Sequence, residues 1–276
     1  SGNVGTIVRW ESSTDSFATN VTDIANTISS YTASGLTQTT YYRVVVKSGV
    51  CDSAFSSVVK ITVSELAQGG KVLGATRICT GNSVTLTLNG AQVGTPQWQS
   101  ATTGAFANIA GATSSSYTTP NLTTTTRYRA LLTNGACTAL SDTATILVDS
   151  ASLGGSISGS TTVCTGTNTT NLTLSGYRGT IVRWQSSIDS FVTDITDITN
   201  TAASYTASGL TQTTYYRAIV KNGVCDSSIS TVATVAVNSI PATGGRVLGA
   251  TTICANTTTG LTLNGYVGTS VQWQSA

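Results

Sequence analysis

The chain has 276 residues, only 9% of them charged, a formal net charge of +2, and neither His nor Met. Without His, the commonest general base, the Ser-His and Cys-His nucleophile pairs and the usual zinc and copper ligands all disappear together, which argues against an enzyme or a cofactor protein. The few Lys and Arg are scattered singly, so no cationic stripe exists for nucleic acid, and no apolar run is long enough to insert in a membrane as a helix.

In chain order, one motif recurs. Val4-Gly5-Thr6-Ile7-Val8-Arg9-Trp10, Val93-Gly94-Thr95-Pro96-Gln97-Trp98, Arg178-Gly179-Thr180-Ile181-Val182-Arg183-Trp184 and Val267-Gly268-Thr269-Ser270-Val271-Gln272-Trp273 are versions of it, with Trp steps of 88, 86 and 89 residues. A period of this length is that of a whole small domain, so the sequence divides into four copies: 1–65, 66–149, 150–239 and 240–276. The two middle copies are complete. The first lacks its opening strands and the last its closing strands, and Ser1 falls inside a copy, so a window on a longer array is expected.

Within the third copy, β-branched or alternating runs span Thr169 to Leu174, Thr180 to Gln185, Ser204 to Ala207, Thr214 to Lys221 and Ile229 to Val237, separated by Gly, Asn, Asp and Ser clusters. No segment has a helical period. The pattern predicts an all-β fold: tandem immunoglobulin-like or fibronectin III-like sandwiches of about seven antiparallel strands, strung as beads in an extended array. Alternation puts Tyr216, Ala218 and Val220 on one inward face and Val182 with Trp184 on the corresponding face of the earlier strand. Trp10, Trp98, Trp184 and Trp273 are the expected core centres, joined by Tyr42, Tyr128 and Tyr216, whose spacing from an upstream Leu looks like a tyrosine corner. Asn222-Gly223 reads as a two-residue hairpin.

The six cysteines follow the period. Cys79, Cys164 and Cys254 precede a strand of their copy, whereas Cys51, Cys137 and Cys225 follow a turn. The expected pairs are Cys79 with Cys137 and Cys164 with Cys225, one staple per complete copy, leaving Cys51 and Cys254 without partners. Such bonds persist outside the reducing cytoplasm, which implies an exported protein.

The segments Trp184-Gln185-Ser186-Ser187, Ser204-Tyr205-Thr206-Ala207-Ser208-Gly209-Leu210-Thr211-Gln212-Thr213-Thr214-Tyr215-Tyr216-Arg217 and Asn222-Gly223-Val224-Cys225-Asp226-Ser227 together resemble the tandem Ig-like repeats of very large Bacteroidetes cell-surface proteins, such as SprB-type gliding-motility adhesins of flavobacteria. The resemblance implies the sandwich fold, a bacterial cell-surface location reached by type IX secretion, and a spacer role in adhesion or gliding. Its partners would be neighbouring repeats, surface polysaccharide, or the motility and secretion machinery. It also implies O-glycosylation at Asp-Ser/Thr-apolar sequences, here Ser53, Thr143 and Ser150. The rival class is a carbohydrate-binding accessory module of a secreted polysaccharide-degrading protein.

Two other features invite chemistry. Asp189, Asp194 and Asp197 form an acidic stretch with oxygen ligands for calcium, but the second copy has no acid at the matching place, and solvated loop carboxylates are the simpler reading. Tyr31, Tyr117 and Tyr205 recur at one strand position, where core packing explains them better than sugar stacking.

Overall fold

Strands are the only regular elements among the described residues, 4–90, 92–240 and 242–275, of the computed structural model. The chain forms two compact units, one made of residues 4–76, Ser83–Pro120 and Thr125–Ile146, the other of Arg77–Asn82, Asn121–Thr124 and residues 147–275.

The third copy, in the second unit, shows how the pattern is built. One sheet runs Ser156–Ser158, Thr169–Ser175, Ser204–Ser208, all antiparallel. The other runs Thr161–Cys164, Ala233–Asn238, Thr214–Lys221, Thr180–Ser187, Thr196–Ile198, with Ser228–Ile229 also paired to Thr214–Lys221. Only the first of these, Thr161–Cys164, is parallel to its neighbour, opposing Asn238 with Cys164. Leu172, Leu174, Trp184, Tyr216, Ala218, Val220 and Val235 fill the space between the sheets. This is the two-layer Ig-like sandwich that the alternation predicts.

Alternation fails at one strand. Val182 is 41% exposed and Ile181, 6% exposed, takes the core position. The cause is a bulge: Ile181 faces Val220 and Arg183 faces Ile219, so Val182 is the extra residue and the faces switch there. The first copy has the same irregularity between Ile7 and Arg9. The second copy, whose motif is one residue shorter, pairs Thr95 through Trp98 with Thr133 through Ala130 without a break.

The final strand is also not continuous. Between Ser228–Ile229 and Ala233–Asn238, Ser230 Oγ accepts the Ala218 N–H at 2.8 Å and donates to the Thr231 carbonyl at 2.8 Å. Thr231 then reaches the other sheet, its N–H donating to Gly155 at 3.1 Å and its hydroxyl accepting from the Ile157 N–H at 3.0 Å. Ser141 repeats the first of these contacts in the second copy, accepting the Ala130 N–H at 2.8 Å. The hairpin differs in detail too. The Cys225 N–H bonds the Asn222 carbonyl at 3.0 Å, so Gly223 and Val224 are the central turn residues, with Gly223 in the left-handed region at φ +52°.

In the first unit, the second copy's smaller sheet is Lys71–Leu73, Thr85–Asn89, Ser116–Thr118, and Trp98 and Tyr128 are buried as expected. The first copy contributes a single sheet built around Thr6–Ser13 and Thr40–Lys47; its Tyr42 is buried and its Trp10 half-buried. Trp273 is a correction. In the second unit the fourth copy pairs Arg246–Leu248 with Thr262–Asn264 and bridges Thr243 to Val267, and Trp273 is 54% exposed rather than at a core centre.

Candidate functional site: the junction between copies

The recurring aromatics are committed to packing. Tyr205 lies between Trp184 and Tyr216 at centroid distances of 5.9 and 5.6 Å, and Tyr117 lies between Trp98 and Tyr128 at 5.9 Å from each. Tyr31 bridges Trp10 and Tyr42 in the same way at 5.8 Å. Each indole N–H is taken by a backbone carbonyl: Ile28 for Trp10, Ser114 for Trp98 and Ala202 for Trp184. Burial pushes the phenols of Tyr128 and Tyr216 up to about 12.

The acidic loop is likewise occupied by its own backbone. Asp189 accepts from the Thr193 hydroxyl at 2.6 Å, from the N–H groups of Val192, Thr193 and Asp194 at 3.0, 2.7 and 2.9 Å, and from the Ser187 hydroxyl at 2.8 Å. These donors, the Thr193 hydroxyl foremost, hold its carboxyl well below the ordinary range. They also close a turn that keeps Ser190 and Phe191 at positive φ. Asp194 is bound to the Ile188 N–H, and Asp197 to Gln185 and Arg183. Asp15 builds the same turn in the first copy. Among the described residues, no group of three or more acids, His or Cys could hold a metal ion.

A recurring polar arrangement on the outer sheet face escaped the sequence reading. Arg217 stacks 4.0 Å over Phe191 and donates to Gln185 at 2.8 Å, while Gln185 donates to Asp197 at 2.7 Å. Arg129, Phe106, Gln99 and Asn108 repeat it. In the first copy the Gln becomes Glu11, 2% exposed and clasped by Arg43 at 2.7 Å and Arg9 at 2.6 Å. Burial alone would raise the Glu11 carboxyl; the hydrogen bonds from Arg43 and Arg9 prevail and lower it. Its signal was a polar residue directly after each Trp and an Arg 33, 31 and 33 residues beyond the Trp.

What remains is the junction, where the expected disulfide pairing is overturned. The structure bonds Cys79 to Cys225, their Cα atoms 4.8 Å apart, and Cys137 and Cys164 are free thiols, as are Cys51 and Cys254. Pairing within a copy fails on length. Cys164 lies at the end of the sheet where Thr214–Lys221 begins, and Cys225 just beyond where that strand ends. Eight residues at about 3.3 Å separate them by roughly 26 Å, several times the Cα spacing a disulfide spans. Cys79, in contrast, stands opposite Asp149 at the close of its copy, where the next copy's hairpin arrives. There Val224 N–H donates to Asp149 Oδ2 at 3.0 Å, and Asn222 Nδ2 to the Ser150 carbonyl at 2.7 Å. Arg77 pairs with Asp149 at 2.9 Å. A Cβ on Gly223 would collide with the Asp149 carboxylate, so a side chain there would have to displace it.

Ser53, Thr143 and Ser150 are all exposed. The acids before the latter two have their own tasks, since Asp142 accepts the Val72 N–H at 2.5 Å and Asp149 holds the junction.

The model of a family described as a domain of unknown function (DUF8696) matches three consecutive segments, residues 1–65, 68–150 and 153–239. No curated protein matches. Among solved structures, a Ca2+-stabilized adhesin with which an Antarctic bacterium binds ice is 13% identical, over 89% of this chain and 68% of that one, at a TM-score of 0.38. A 1.5-MDa bacterial ice-binding adhesin is also 13% identical, over 87% and 89%, at 0.38. A segment of titin is 14% identical, over 86% and 91%, at 0.37. Scores this low fix neither ligand nor role, and the sandwich assignment rests on the strand pairing itself.

Proposed function

This chain belongs to the DUF8696 family, and from that premise we propose that it is a spacer segment of an exported, repetitive bacterial surface adhesin, in which each copy adds reach and durability. The observation that supports the reading is where the recurring residues are used. Trp, Tyr and Tyr make the cores, Arg, Gln and Phe lock the outer face, and Asn-Gly with Cys serves the junction, so the repeated side chains are used in packing. The Cys79–Cys225 bond is consistent with an oxidising location outside the cell. Type IX export, a place in gliding motility and glycans on Ser53, Thr143 and Ser150 are finer proposals drawn from the sequence resemblance.

The test is a glycan-array screen of the 276-residue chain together with intact-mass analysis of protein taken from its native host. A spacer is silent on the array. Saturable binding to one polysaccharide class would overturn the reading in favour of a carbohydrate-binding module. A native mass equal to the bare polypeptide less its disulfide hydrogens would remove the glycans.

A further inference from the structure

The two halves of the observed staple recur at the neighbouring junctions. Cys79 ends the strand Arg77–Cys79 opposite Asp149, with the Thr80 N–H on the Asp149 carbonyl at 2.8 Å. Cys164 ends Thr161–Cys164 opposite Asn238, with the Thr165 N–H on the Asn238 carbonyl at 3.0 Å. The same half-site is therefore built at the close of the second and of the third copy.

The hairpin half is also built twice. Cys225 Sγ lies 3.6 and 3.4 Å from the carbonyls of Asp149 and Ser150, and Asn222 Nδ2 donates to Ser150. In the other unit, Cys137 Sγ lies 4.0 Å from the Ser64 carbonyl and Asn134 Nδ2 donates to the Glu65 carbonyl at 3.0 Å. Ser64 holds the position of Asp149 after the strand that closes the first copy, and Gly135 sits against its side chain as Gly223 sits against Asp149. Cys137 thus stands where Cys225 stands, facing the place that a Cys79-like residue of the preceding copy would take.

We propose that successive copies are cross-linked in a staggered ladder, the first Cys of each bonding the hairpin Cys of the copy after it. Cys164 then takes the hairpin Cys of a complete following copy, and Cys137 the first Cys of a complete preceding one. Within these 276 residues neither partner occurs, since the fourth copy carries only Cys254 and the first only Cys51. Each bond forms as two thiols give up two protons and two electrons, which reduce one disulfide of an oxidised dithiol catalyst or of a low-molecular-weight disulfide to two thiols. Nothing in this chemistry depends on what the array is for.

Two chains test it, each refolded with oxidised glutathione, alkylated and digested without reduction. In the first, residues 1–242 are followed by a second 153–239. The ladder requires a new peptide joining Cys164 to the added copy's counterpart of Cys225, with Cys79–Cys225 retained. An alkylated Cys164, or one joined to Cys225 of its own copy, overturns it. In the second, Cys79→Ser in the 276-residue chain leaves Cys225 free to choose. The expected result is alkylation of Cys225 and Cys164 alike, and a Cys164–Cys225 peptide would sink the proposal even if the extended chain failed to fold.

Discussion

Trp184 has no exposed surface, touches Tyr205 and gives its indole proton to the Ala202 carbonyl at 3.0 Å. Trp184→Ala removes the ring, leaves a cavity and strands a carbonyl, so the third copy should lose about 3–5 kcal/mol. Amide exchange across Thr214–Lys221 measures this locally. Trp273→Ala, by contrast, should change stability by no more than about 0.5 kcal/mol, as at other exposed sites. The tyrosines beside these rings make a second prediction. The phenols of Tyr128 and Tyr216 stand at about 12 in the fold against 10.0 for a free phenol. The fold therefore keeps a proton that the unfolded chain releases. The contribution is fully present below pH 10.0 and is lost as pH rises from there towards about 12. A spectrophotometric tyrosine titration should show these two ionising last and together with unfolding; ionisation with the exposed phenols while strands persist would contradict it. The aromatics were legible in the sequence because period and hydrophobicity coincide in them. The Arg217, Gln185 and Phe191 stack was not, since alternate polar residues on a strand look the same whether they face water or one another.

At the scale of the strand, the bulge decides which of two neighbouring apolar residues matters. Alternation from Trp184 selects Val182, but the extra residue between Ile181 and Arg183 reverses the faces upstream of it. Ile181→Ala should therefore cost about 2–5 kcal/mol as a buried truncation, while Val182→Thr should stay within about 0.5 kcal/mol. Thermal unfolding of the two variants checks this, and a larger loss at Val182 would place the bulge wrongly. The sequence carries a hint of it, because Gly179 to Trp184 is one residue longer than Gly94 to Trp98. Strand existence follows from period alone. Register does not, because a bulge costs little in composition and changes everything about facing.

For the whole molecule, the order of cysteines along the chain says nothing of which end of a strand each occupies, so it does not determine their pairing. The observed bond spans 146 residues of sequence and crosses from the second copy to the third. When the chain is pulled from its ends, load entering at Cys79 passes through the sulfurs to Cys225 and bypasses the backbone between them. Fully extended, that backbone is about 3.5 Å per residue, so roughly 500 Å of contour is withheld while the bond is intact. Single-molecule pulling should show a shorter final contour length under oxidising conditions, released by a reductant or by Cys225→Ser, with the difference close to that figure. Two loops closed inside the copies would instead withhold about 400 Å in all and release only about 200 Å with Cys225→Ser, and that result would restore the intra-copy pairing. No difference at all would mean the bond does not form. Under such a pull the segments outside the bond, Ala233–Asn238 among them, extend first, and the backbone between Cys79 and Cys225 carries no load until the bond is broken.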